Sequence, residues 1–464
     1  MKCNVSPTGV VFLALSAAVL FLGACTGGGG DGGAPPANNN DSIPPDNGDS
    51  IPPDGQSNGF EFVMGTDSCE VPDLALPQKG AAFTDPNFHT TLVRVTDQEI
   101  DGYIGPGIQN EYSQIDPENS DGTLVVLRGN TAAYPLYDTS SYEHLEPLTV
   151  FDACGQEPEP RWDADDPQTF YYVCNTELRS YNVATDVSAT IHDFAADFPA
   201  AAYVSAKTKG EPSLDRRYWA LIVEDVDWNL LAVVVYDRTS DEIVGRKTSD
   251  FREGLNWVGM SMSGEYCALG WDAYVAPLST TVVSRDFSRV IDLPDGSAGH
   301  GDFAITADGR EVYVYQKVRT TDHIAMADLE TGEETALLPI PFDVNVDLGM
   351  HISGNAARTP GWVLVSTYGS LNAPPDGDHS WMDTRLFMLE LTANPRIWRI
   401  AHTHSYTSLD YSDEKNYFAE AFATINTSGT RIYFGSNWAD LSELDYTDTY
   451  QVVLPDDWTT AMPE

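Results

Sequence analysis

The sequence predicts an all-β chain, a seven-bladed β-propeller of four-stranded antiparallel blades preceded by a signal peptide and a disordered linker. Three observations carry that expectation. A diverged unit recurs about every fifty residues, and internal periods of that size mark propellers and solenoids. Aromatic residues make up 11% of the chain beside 37 Gly and 29 Pro, the usage that many short strands joined by turns require. After the N-terminal apolar run, no stretch is long enough to span a bilayer as a helix.

In chain order, the first element is a charged Lys2, then thirteen apolar or small residues from Val10 to Leu22, then Gly23-Ala24-Cys25. That is the layout of an export signal, residues 1–24, and the run is short for a transmembrane helix. The Leu22-Gly-Ala-Cys ending resembles the bacterial lipobox. The resemblance implies that Cys25 is acylated and becomes the mature N-terminus, with a membrane as partner. Thr26, rather than Asp, follows the cysteine, which favours the outer membrane, facing periplasm or exterior. Residues 25–59 are rich in Gly, Pro, Asn and Asp and repeat Asp-Ser-Ile-Pro-Pro-Asp, so they cannot bury enough apolar surface to order and are read as a tether.

Residues 60–464 form the expected propeller domain. The seven units begin at Tyr112, Glu159, Glu211, Trp257, Gly301, Ile352 and Glu420. A third strand and a turn such as Ala327-Asp-Leu-Glu-Thr-Gly-Glu follow each hairpin, which gives four strands per blade and hides the sheet edges by closure. The strand at Thr91-Leu-Val-Arg-Val-Thr has no blade of its own, so it is expected to complete the last blade and join the ends of the ring.

The formal charge is −45. Residues 1–59 hold five Asp against Lys2, so the remainder carries 65 acidic and 24 basic side chains, near −41. Such a field repels nucleic acid and anionic lipid headgroups and is compatible with collecting divalent cations. Cys3 leaves with the signal. The four cysteines Cys69, Cys154, Cys174 and Cys267 lie in a compartment where disulfides persist, and of their three pairings Cys154 with Cys174 is preferred because a loop can bring them together.

Residues at the entrance to each innermost strand should converge on one mouth of the central channel. Those positions are Gln114, Glu159 with Arg161, Glu211, Asn256 with Trp257, His300 with Asp302, His351 with Ser353, and Glu420. Polar strand ends at a wet channel account for some of them. The types also suit a glycan, with a ring to stack on a sugar face and convergent polar groups to orient it. Gln114, Glu159, Glu211, Trp257 and Asp302 are the expected ligand-binding residues. His402 and His404 alternate in phase, as a metal pair or an exposed strand edge would. The insertion from Asn372 to Trp381 is expected to overhang a mouth. No nucleophile elbow, phosphate-cradling loop or Cys-x-x-Cys is present.

With Ala307-Asp-Gly-Arg and Thr427-Ser-Gly-Thr-Arg at the hairpins, residues 85–455 resemble TolB-like and oligogalacturonate-lyase-like propellers. The lyase resemblance implies a divalent metal (calcium, manganese or zinc) on histidines of late blades, and a basic side chain that takes a proton from a uronate. His300, His351 and Glu420 are then the candidate ligands, and Arg161, His300 and His351 the candidate catalytic residues. Where that family has paired histidines in the last blade, this chain has Ala419-Glu420-Ala421-Phe422-Ala423. Three functions follow: a propeller that binds a glycan or a protein partner at the mouth, a metal-assisted lyase of acidic polysaccharides, or an envelope assembly scaffold. A body near −41 opposes a polyuronate unless Arg161, Arg216 or a bound cation reverses the sign locally.

Overall fold

The computed structural model describes residues 59–463, apart from 103–106, 130–132, 273–274, 318–320, 343–347, 370–379, 408–413 and 441–445. The expected signal peptide, Cys25, the tether and most of the Asn372–Trp381 insertion lie outside the described residues.

Alternation explains how the blades stack. In the strand Tyr218–Glu224 every residue is buried. Trp219, Leu221 and Val223 face the second blade, against Tyr171 and Val173, whereas Ala220 and Ile222 face the fourth, against Val258, Met260 and Leu269. A period of two therefore gives each sheet two apolar faces, which is why these strands read as continuous apolar runs.

Five four-stranded antiparallel sheets start from the inner strands Arg161–Trp162, Tyr203–Ser205, Leu255–Met260, Gly301–Ile305 and Gly349–Ser353, the second to sixth blades. The seventh sheet runs outward from Thr424–Ile425 through Arg431–Ser436 and Asp448–Val453, and ends on two strands from the other end of the chain, Thr91–Arg94 and Ala82–Thr84. Leu92 pairs with Val452 and Arg94 with Tyr450, so the Thr91 strand closes the ring as expected. Helix is confined among the described residues to one α-turn, Trp458–Ala461, and three short 3-10 segments.

The first blade departs from the pattern. It is split into Ile108–Gln109 with Arg128–Gly129, and Leu124–Val126 with Pro135–Asp138 and His144–Pro147. The inner strand expected from Tyr112 is an irregular buried segment, residues 110–119. Pro117 supplies no N–H for a ladder, and the polar side chains of the segment bond across the ring instead. Asn110 donates to Phe422 O at 2.5 Å, Gln114 to Gly301 O at 2.6 Å, and Asp116 accepts from Thr427 N at 2.7 Å. The segment thereby fills much of the channel.

Cys154 and Cys174 are disulfide-bonded, tying the entry of the second blade to its own second strand. Residues 60–78 run across the outer edges of the sixth and seventh blades. Met64 bridges to Trp398, and Trp438 donates its indole N–H to Leu74 O.

Candidate functional site

Four polar side chains meet at the entrance of the inner strands. His300 precedes the fifth blade's inner strand, His351 lies in the sixth's, Glu420 precedes the seventh's, and Lys209 sits in the loop after the third's. The imidazoles of His300 and His351 stack with centroids 4.4 Å apart and planes 21° from parallel. His300 donates from Nδ1 to Met350 O at 2.6 Å, which leaves its Nε2 lone pair free to accept. His351 Nε2 lies 2.6 Å from Glu420 Oε2. Tyr368, Tyr112 and Phe422 wall in the His351 ring at centroid distances of 5.1, 5.3 and 4.6 Å.

Lys209 is placed by a second-blade carboxylate. Glu159 accepts from Ala206 N at 2.7 Å and from Thr208 N at 2.8 Å. Lys207 and Thr208 both have left-handed backbone, φ 60° and 63°, which costs an L-residue about 1–3 kcal/mol and persists only when neighbours hold it. The chain then passes Gly210, where a Cβ would lie 1.8 Å from Val258 O of the next blade, so only glycine fits. The ammonium of Lys209 ends over the Tyr112 ring, 5.4 Å from its centroid, and 3.4 Å from Asn256 Oδ1.

Burial sets the protonation states. It lowers His300 to about 3 and His351 well below the ordinary histidine value, so both rings are neutral near pH 7. It lowers Lys209, against the pull of Glu420 and Asp272. It raises Glu420 to about 7, against the pull of His300 and Lys209. Perturbed groups gathered at a mouth are a physical signature of a functional site.

The remaining expected site residues hold the ring together. Arg161, 1% exposed, pairs with Glu111 at 2.7 Å and donates to Pro160 O and Gly210 O. It is thus withdrawn from the mouth as a base or charge neutraliser. Glu211 pairs with Arg216 at 2.8 Å and accepts from Asp116 N. Asp302 accepts from Gly354 N at 2.7 Å, joining the fifth and sixth blades. Trp257 is buried in the interblade core near Tyr313 and borders only the narrow channel, too small for a sugar ring to stack on it. Gln114 spans the channel, as above. His402 and His404 are buried, not an exposed edge. Their rings are 5.7 Å apart at 45°, and His402 Nδ1 is 2.8 Å from Asp85 Oδ2, so they do not present a metal pair.

The metal expected on His300, His351 and Glu420 does not fit this arrangement. A zinc or manganese ion needs lone pairs converging at about 2.0–2.2 Å. The two rings are stacked on each other, His300 Nδ1 is taken by Met350 O, and Glu420 already occupies His351 Nε2. His351 Nδ1 is buried without a partner. Among the described residues, no group of three or more His, Cys, Asp or Glu is placed to hold a metal ion.

Sequence reading missed Lys209 because the unit was aligned on Glu211-Pro212. Aligning Gly210 with Gly301 puts Lys209 opposite His300, and a lysine pair in so acidic a chain was the available signal. It also missed a cavity of about 650 Å³ at the opposite ends of the inner strands, among the hairpin turns, lined by Asp116, Glu118, Asp163, Asp215, Arg216, Arg358 and Arg431. The narrow channel between the two ends, about 30 Å³, is lined by Gln114, Glu211, Trp257 and Asp302.

Carboxyls raised by burial make stability depend on pH. Glu111, Asp116 and Glu420 are raised to about 7 and Asp448 to about 6, burial being the largest cause in each. Unfolded, such groups titrate near 4. The folded chain therefore binds more protons in between, and their contribution is largest below the unfolded values and is lost as pH rises through 6 to 7. The melting temperature is expected to fall from about pH 5 to about pH 8. A scan that is flat or rises over that interval would contradict these shifts.

No protein-family profile matches the sequence, and no curated protein sequence does. Among solved structures, an oligogalacturonate lyase from Vibrio parahaemolyticus superposes with a TM-score of 0.55 at 16% identity, covering 81% of this chain and 97% of that one. An oligogalacturonate lyase in complex with manganese gives 0.54 at 14% identity, covering 84% and 96%. At such identities the likeness is one of fold: this chain is a seven-bladed β-propeller, similar in fold to those two structures.

Proposed function

We propose that this propeller binds an acidic, uronate-bearing glycan at the mouth formed by Lys209, His300, His351 and Glu420. One observation carries the reading: a half-buried ammonium, held by a strained loop, shares that mouth with two neutral imidazoles and a carboxyl shifted to about 7. Lys209 supplies the cation for a sugar carboxylate, His300 Nε2 accepts from a hydroxyl, and Glu420 accepts from a second hydroxyl when ionised. The overall charge opposes a long polyuronate, so short oligomers entering end-on suit the site, and moderate salt should assist them by screening the body. An acylated Cys25 holding the propeller at the outer membrane belongs to the same proposal.

Elimination is the second reading, favoured by the two solved neighbours that the whole fold matches. Lys209 in its neutral form, or Glu420 ionised, would take the proton beside the uronate carboxylate as the glycosidic oxygen leaves. Calorimetric titration of the full chain with oligogalacturonides, other oligouronides and neutral oligosaccharides tests both readings. Binding of acidic oligomers alone supports the site. Growth of ultraviolet absorbance from an unsaturated product, undiminished by chelator, adds catalysis. Equal or absent binding of acidic and neutral oligomers sinks the proposal.

A further inference from the structure

At the outer rim, far along the blades from the mouth, Cys69 stands in a setting that the glycan reading does not use. The segment carrying it lies on the outermost strand of the sixth blade, Ile397–His402, with Gly65 N donating to Ile397 O. Cys69 Sγ is 4.0 Å from His402 Nε2. The other nitrogen of that ring, Nδ1, is 2.8 Å from Asp85 Oδ2, which also accepts the His402 backbone N–H at 3.0 Å. Asp85 Oδ1 accepts from Asn87 N and Phe88 N, so the carboxylate is fixed on both oxygens. Phe88 stacks on the imidazole at 4.7 Å.

The chemistry of each contact has one direction. An ionised Asp85 only accepts, so the ring proton sits on Nδ1 and the lone pair of Nε2 faces the sulfur. Burial lowers His402, which keeps it neutral and able to accept a proton. Arg385 donates from Nη2 to Cys69 O at 2.8 Å and lies 3.8 Å from Sγ, so it fixes the backbone that carries the thiol. Asp85, His402 and Arg385 are each at most 2% exposed, whereas Cys69 is half-buried and is the member that solvent reaches. A nucleophile, a base within reach and an acid orienting the base form the general pattern of an activated side chain. The other free cysteine is the internal contrast: Cys267 is buried in the core and pushed up to about 12 by that burial.

We propose that Cys69 is a nucleophilic thiol, activated by His402 and Asp85, that exchanges with small disulfides. His402 Nε2 takes the thiol proton, and the resulting imidazolium is held by Asp85. The Cys69 thiolate attacks one sulfur of the disulfide, a new S–S bond forms as the old one breaks, and the departing thiolate recovers the proton from His402. The protein thereby carries the small thiol as a mixed disulfide, and one free thiol is released.

The test uses the folded full chain and 4,4′-dithiodipyridine, a neutral disulfide whose released thiol is read by absorbance, with peptide mass spectrometry to place the adduct. The expected result is one adduct per chain, on Cys69, formed at least about tenfold faster than on a flexible peptide of the same local sequence. His402→Gln and Asp85→Asn, with unchanged circular dichroism and melting, should bring the rate down to the peptide's or below. A wild-type rate no faster than the peptide's overturns the proposal, whether or not the variants fold. So does a folded H402Q chain that reacts as fast as the wild type, or an adduct found on Cys267 instead.

Discussion

Replacing Asp448 by alanine is expected to destabilise the chain by about 3–5 kcal/mol, among the largest effects of any single polar substitution. Asp448 accepts from Arg94 Nη2 at 2.6 Å, from Arg94 Nε at 3.2 Å and from Thr96 Oγ1 at 2.9 Å, joining the strand that closes the ring to the last strand of the repeat. Both charged groups are buried, 4% and 6% exposed. The alanine variant leaves the Arg94 guanidinium in a dry site with Asp97 and Pro77 O as its remaining partners. For a domain of this length the loss corresponds to a melting temperature lower by about 4–6 °C. Arg310 is the control. It pairs with Asp308 and Asp328 at 3.0 Å but is 52% exposed, and Arg310→Ala should cost less than about 1 kcal/mol. Thermal and denaturant melts of the two variants check the contrast. Equal losses would mean that the closure is held by the strand ladder and its apolar contacts, not by the buried pair.

The same closure shows what was legible in the sequence. A strand without a blade at Thr91 and a blade short of a strand after Glu420 can be counted along the chain, and sheet edges then dictate that they pair. The convergence of His300, His351 and Glu420 was legible for a similar reason, since each stands at the start of an inner strand and the ring's symmetry brings such starts together. What failed depended on register and on one irregular segment. The ladder of the fourth blade slips between Leu255 and Trp257, which turns the indole into the core beside Tyr313. Residues 110–119 leave the strand pattern, and their Glu111 carboxylate takes Arg161 out of the mouth. Neither a bulge nor a plug alters the apolar period enough to be read from one sequence. Lys209 was hidden differently, because two consecutive left-handed non-glycine residues before it have no compositional mark and are held by Glu159, about fifty residues earlier, which binds the backbone N–H of Ala206 and Thr208 on either side of Lys207.

Lys209→Met is expected to lower affinity for acidic oligosaccharides by about tenfold to a hundredfold, the value of a charge-assisted hydrogen bond, while leaving the fold intact. Methionine keeps most of the stem that lies against Tyr112 and removes the charge that burial disfavours, so the melting temperature should hold or rise. Loss of affinity without loss of stability separates a ligand-facing lysine from a structural one. Glu420→Gln sharpens the comparison. Its carboxylate stands beside His351 and within the field of Lys209, and where it repels an incoming sugar carboxylate the amide should improve binding. If the same variant binds as well as wild type yet forms no unsaturated product, Glu420 is the base of an elimination. If Lys209→Met and wild type bind oligouronides equally, the mouth is not the ligand site, and the acid-lined cavity at the opposite ends of the strands becomes the place to look.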